Sequence, residues 1–199
     1  MLANGEDVLM DGADDQEPEN LCSRVKLDWC SVQIRKGQIM IGPAVSQLVY
    51  LLNEAFQGTE REWHALGTNL RSITSEDWLW VPPDGVRSIR DIVIHVGGSK
   101  LMYHNHAFGN GQLTWDDPVL CGPDGLSSLD LALPWLKFGH EQLRASLVAL
   151  SDADLLVERK TPQGRLKETR WIIATMIEHD LYHAGEINHI RALHQHNDL

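Results

Sequence analysis

Ile177-Glu178-His179-Asp180-Leu181-Tyr182-His183-Ala184-Gly185-Glu186-Ile187 is the middle of a helical pattern that runs from about Lys167 to His194. A helix of that length must lay its apolar face against other elements, so the rest of the chain is read for what could cover it. Upstream of the turn Thr161-Pro162-Gln163-Gly164, the residues Leu131, Leu133, Leu136, Leu143, Leu147 and Leu150 mark the inner side of another helix, with Ser127 and Asp130 as its caps and Pro134 near its first turns. Ser88-Ile89-Arg90-Asp91 is a capping box that opens a second helix, carried to about Phe108 by Ile89, Ile92, Val93, Val96 and Met102. Val45, Leu48, Val49, Leu51, Leu52, Ala55 and Phe56 begin a stripe that continues through Trp63, Leu66 and Leu70. It predicts a first helix over about 44–72, with Gly58 and Gly67 tolerated inside it.

Shorter pieces join these helices. Thr74-Ser75-Glu76-Asp77 offers a capping box for a short turn that Pro82-Pro83-Asp84-Gly85 ends, and Ser151 to Asp154 starts another. Gly109 to Ser127, punctuated by glycine and proline, is a crossover and not a hairpin. Four long helical patterns, one central crossover and no convincing alternating strands predict an all-α four-helix bundle over residues 43–199, with the long crossover between helices 2 and 3.

Residues 1–20 carry seven acids and no Lys or Arg, show no hydrophobic period, and are expected to form a disordered acidic tail. In residues 21–42, Val32-Gln33-Ile34 and Ile39-Met40-Ile41 flank Arg35-Lys36-Gly37-Gln38 and suggest a short hairpin. The tail supplies −7 of the net charge of −11, so the body of the 199-residue chain is only mildly acidic. No basic stripe is present to neutralise phosphates, which argues against nucleic acid as a partner. Cys22, Cys30 and Cys121 are odd in number and form no CxxC pair, which suits a reducing compartment. With neither a signal-like start nor a run of about 18 apolar residues, neither secretion nor a membrane partner is indicated, and a cytoplasmic location is expected.

The histidines carry the chemistry. His179 and His183 are four apart on the fourth helix, so their rings leave the same face with Cβ atoms about 6 Å apart, a spacing suited to two ligands of one ion. A helix supplies only two such bonds. The best third ligand is His95, which lies deep in the second helix among apolar neighbours, with the small Gly98 and Ser99 one turn on leaving room beside its ring. An exposed histidine pair and a hydrogen-bonded core histidine are the ordinary alternatives for these positions. His106 shares the face of His95 three turns on and could line a pocket. Glu186, three residues after His183, could orient a ligand histidine or move a proton, and Tyr182 could donate to a substrate.

Two separated blocks, Ser88 to His95 in the second helix and Arg170-Trp171 followed by Glu178-His179-x-x-x-His183-x-Gly185-Glu186-Ile187 in the fourth, resemble the DinB-like metal-binding four-helix bundles. The turns Ser75-Glu76-Asp77-Trp78 and Ser151-Asp152-Ala153-Asp154-Leu155 share the resemblance, which spans about residues 44–196. It implies that His95, His179 and His183 coordinate a divalent transition metal, zinc first, with nickel or iron as alternatives. It further implies a metal-dependent enzyme of the thiol S-transferase or isomerase kind, using a low-molecular-weight thiol of the mycothiol, bacillithiol or glutathione class on a small-molecule substrate. Members are often dimers, so a homodimer is expected. Two rival readings stay open: a non-catalytic metal-binding or stress-response protein, and a metal-dependent hydrolase or cyclase that uses metal-bound water.

Overall fold

The computed structural model describes residues 41–59 and 64–197. Among them four long helices dominate: α1 (Pro43–Gln57), α4 (Ile89–Phe108), α5 (Leu129–Val148) and α6 (Thr169–Gln195). The short α2 (Leu66–Arg71) and α3 (Ser75–Leu79) link α1 to α4. α1 and α4 each pack against both α5 and α6, which closes the all-α bundle that the periodicity predicts.

The first helix is not continuous. Gly58 adopts the left-handed conformation, φ 64°, and its N–H donates to the Glu54 carbonyl, so α1 stops there although the apolar period runs on. The other end of α1 is capped from far along the chain: the Asp152 carboxylate accepts from the N–H of Ala44 at 3.3 Å and of Val45 at 3.0 Å. A Cβ at Gly42 would collide with that carboxylate, which is why a glycine precedes Pro43.

The two capping boxes form as read, with reciprocal Ser88–Asp91 and Thr74–Asp77 pairs, and the turn that Ser151 starts proves to carry a third, Ser151–Asp154. For α5 the expectation holds in part: Leu136, Leu143 and Leu147 are buried as read, but the caps and Leu133 differ. Its N-cap is Ser128, with no side-chain cap bond, and Leu133 is 39% exposed because the buried face runs through Ala132, Trp135, Leu136, Gly139 and His140 instead. An antiparallel hairpin, β1 (Glu158–Lys160) and β2 (Leu166–Glu168), also escapes the sequence reading. Its strands are three residues each and mostly charged, so no alternation marks them; Gly164, φ 76°, makes the turn. The suggested hairpin around Arg35 to Gln38 and the acidic tail lie outside the described residues.

The crossover from α4 to α5 is pinned along its length. The Asn105 side chain accepts from Leu113 N–H at 3.0 Å, Trp135 Nε1 donates to the Val119 carbonyl at 3.3 Å, and Trp78 Nε1 donates to the Leu126 carbonyl at 3.0 Å. Leu120 and Leu126 are buried beneath it in the core that also holds Trp78, Trp135 and Ile187. A second core cluster joins Val45 and Leu52 of α1 to Leu143 and Leu147 of α5 and Met176 of α6. Among the described residues no helix is long and apolar enough to cross a membrane.

Candidate metal centre

α4 and α6 lie side by side, and a wholly buried ion pair ties them together. Lys100 Nζ sits 2.6 Å from Asp180 Oδ2, both side chains being 0% exposed, and the ammonium also lies 5.3 Å from the centre of the Phe56 ring. Burial pushes the Asp180 carboxyl above the ordinary carboxylate range while Lys100 pulls it back. Asp180 Oδ1 has no hydrogen-bond partner among the described residues, so the pair's desolvation is incompletely offset.

That contact sets the register in which the histidines meet. His95 from α4 and His179 and His183 from α6 place one ring nitrogen each within 4.8 Å of the others. The Nε2 atoms of His95 and His179 are 3.1 Å apart. At that distance the two rings share a hydrogen bond, and the spacing is also close to the roughly 3.3 Å at which two nitrogens bonded to one zinc at about 2.0–2.1 Å with a tetrahedral angle would stand. The ring of His183 stands edge-on to the other two, at centroid distances of 5.0 and 4.5 Å. Three neutral imidazoles are a good donor set for a divalent transition metal, and this group can hold one.

The protonation states agree with that use. Burial, with repulsion from His183 and His95, lowers the pKa of His179 to about 3, so its ring is neutral at physiological pH. His95 is the most open of the three, yet burial of part of its ring, with His183 and Arg87 beside it, lowers its pKa too, against the pull of Glu186. The triad grades from exposed His95 through half-buried His179 to buried His183, so it opens to solvent on the His95 side.

Glu186 stands next to the triad. Its Oε2 accepts from His183 Nδ1 at 2.8 Å, which leaves the lone pair of His183 on Nε2, and its Oε1 accepts from Arg87 at 2.7 Å. Arg87 comes from the loop before α4 and no spacing in the sequence points to it. Lys100 and Asp180 were missed for a similar reason, because each looks like a solvent-facing residue of its helix. Of the other candidates, Tyr182 is 68% exposed, its ring nearly perpendicular to that of His183 with the centroids 4.9 Å apart. His106 is drawn away from the triad: its Nε2 donates to the Leu113 carbonyl at 2.9 Å and helps pin the crossover.

The room expected beside His95 is largely filled. A Cβ at Gly97 would collide with the Trp135 ring, and one at Gly98 would come within 3.2 Å of the Leu120 carbonyl, so these glycines admit α5 and the crossover. What remains is a cavity of about 260 Å³, walled on one side by Asp91, Ile94, His95 and Gly98 and on the other by Trp115, Leu120 and Cys121. Two histidines with no expected role are structural. His140 is fully buried, stacked 4.1 Å from Phe56 with Nε2 at 3.2 Å from Asn53 Oδ1. His194, near the end of α6, bonds Asp77 at 2.6 Å and stacks on Trp80.

The family described as the DinB superfamily matches residues 58–187, a span that includes the three histidines, Arg87, Lys100 and Glu186. No curated protein matches the chain.

Proposed function

The chain belongs to the DinB superfamily, and from its three-histidine group we propose a divalent-metal-dependent enzyme that transfers a small-molecule thiol to an electrophile or uses it in an isomerisation. The observation that carries the reading is the open side of the triad: three protein ligands leave at least one coordination position, and His95 faces solvent there. When bound, the metal would supply a Lewis acid that favours the thiolate, the nucleophilic form of a thiol. Zinc fits the donor set best, with nickel or iron as alternatives.

The chain's own residues have separable tasks. Glu186 fixes the tautomer and angle of His183, and since both its oxygens are engaged it serves as an orienting group, not as a proton carrier. Arg87 holds Glu186 in place and compensates its charge. Lys100 and Asp180 hold α4 and α6 in register beneath the site. In the transfer, a sulfur–carbon bond forms as the bond from that carbon to the leaving group breaks, the leaving group takes the bonding pair, and the thiol proton passes to solvent.

The test is thiol consumption against model electrophiles by metal-loaded native protein and by His183→Ala. A rate that depends on His183 supports the transfer; equal rates end it. If both are inactive and the native protein still binds metal, the non-catalytic metal-binding role takes its place.

A further inference from the structure

The cavity beside His95 is bounded by side chains that nothing in the metal site requires. Trp115, a large apolar ring, is 52% exposed at its mouth. Ile94 and Leu120 line it, and Asp91 brings no free charge, because one carboxylate oxygen is taken by the backbone and hydroxyl of Ser88 and the other by Arg90 at 3.2 Å. The lining is therefore apolar apart from His95 and the Cys121 thiol.

The crossover wall is also preformed. Trp115 lies in a tight turn in which the Asp117 carboxylate accepts from Thr114 N–H at 2.7 Å and from its hydroxyl at 3.1 Å, and the Asp117 N–H returns to the Thr114 carbonyl. Leu120 is buried against α4, where a Cβ at position 98 would stand a tight 3.2 Å from its carbonyl. The ring of Trp115 is thus carried by an ordered segment. The volume, about 260 Å³, is just below the 300–1,000 Å³ usual for ligand pockets, room for one ring-sized group and not for a peptide or a nucleotide.

His95 belongs both to this wall and to the triad, on the side where the triad opens. We propose that the cavity binds an uncharged aromatic or branched aliphatic group of the small-molecule substrate, and that Trp115 determines specificity by packing on it. The proposal deepens the metal-enzyme reading, on which its link to the reaction rests, but the cavity itself is defined by protein atoms alone.

Two measurements separate the cavity from the metal chemistry. In metal-free protein, saturation-transfer NMR with benzyl alcohol should show binding to the native chain, lost in Trp115→Ala and in the cavity-filling Cys121→Phe, both at unchanged melting temperature. In zinc-loaded protein, benzyl mercaptan should bind at least ~10-fold tighter than 2-mercaptoethanol, and each substitution should bring that ratio close to one while leaving the affinity for 2-mercaptoethanol as it was; about 1.4 kcal/mol of ring contact gives that factor. Benzyl alcohol that fails to bind native protein, or binds both variants equally well, overturns the proposal. So does a thiol ratio that neither substitution changes. If neither thiol binds while benzyl alcohol still does so in a Trp115-dependent way, the thiol reading falls and the cavity stands.

Discussion

Replacing Lys100 with methionine should cost the fold about 4 kcal/mol at pH 7. The substitution keeps the length of the side chain and removes the ammonium that lies 2.6 Å from Asp180, where both side chains are fully buried. The carboxylate then has two courses. It can stay ionised and unpaired, at the roughly 3–5 kcal/mol that breaking a buried pair costs. It can instead take a proton from neutral solution, at about 1.4 kcal/mol for each unit between pH 7 and an unfolded pKa of about 3.9, again about 4 kcal/mol. Against a typical stability of about 5–15 kcal/mol that is a large loss.

The double variant Lys100→Met/Asp180→Leu removes both charges and the unpartnered Asp180 Oδ1 together, and should return to within about 1 kcal/mol of the native protein. Urea denaturation of the metal-free protein at pH 7, followed by far-ultraviolet circular dichroism, reads all the variants. Lys100→Met within about 1 kcal/mol of native, or a double variant as unstable as the sum of its singles, would refute the reasoning.

Other consequences can be measured alongside. Glu186→Gln keeps an acceptor for His183 but loses the charge that pairs with Arg87, and should weaken metal affinity by about 10–100-fold in competition with a chromophoric chelator; unchanged affinity would mean that Glu186 does not orient the ligand. Burial, with Lys100 and Arg144 nearby, lowers the pKa of His140 to about 3, so the folded state holds this ring neutral while the unfolded chain binds a proton below about pH 6.5. Stability is therefore intact above that pH and falls as the pH drops toward 3, by at most about 1.4 kcal/mol per unit for this group. In metal-free protein His140→Gln should flatten the decline between pH 6.5 and 4.5, and a variant that tracks the native curve would contradict this.

How much could be read from the sequence depends on whether a residue's role is local. Ser88 and Asp91 are three apart and act on the same helical turn, so the start of α4 is visible in four residues. His179 and His183 are likewise visible as a pair, because helical spacing alone puts them on one face. Roles that depend on distant neighbours stay hidden. Lys100 and Asp180 are 80 residues apart, and each is an ordinary charged residue until α4 and α6 pack. Asp152 caps a helix 107 residues upstream. Gly97 and Gly98 are visible as small, but whether they leave a hole or admit Trp135 and Leu120 depends on where α5 and the crossover lie. Gly58 misleads in the opposite way, since the apolar period continues past a residue that ends the helix.

The central claim is that His95, His179 and His183 together hold one divalent metal ion. Titrating metal-free protein with Co²⁺ while recording visible absorption tests it most directly. The expected result is saturation at one ion per chain, with alanine at any of the three positions weakening binding by more than about 100-fold, since even the partners behind a ligand are worth about 10–100-fold. Native protein that shows no saturable binding, or histidine variants that titrate as it does, would contradict the claim.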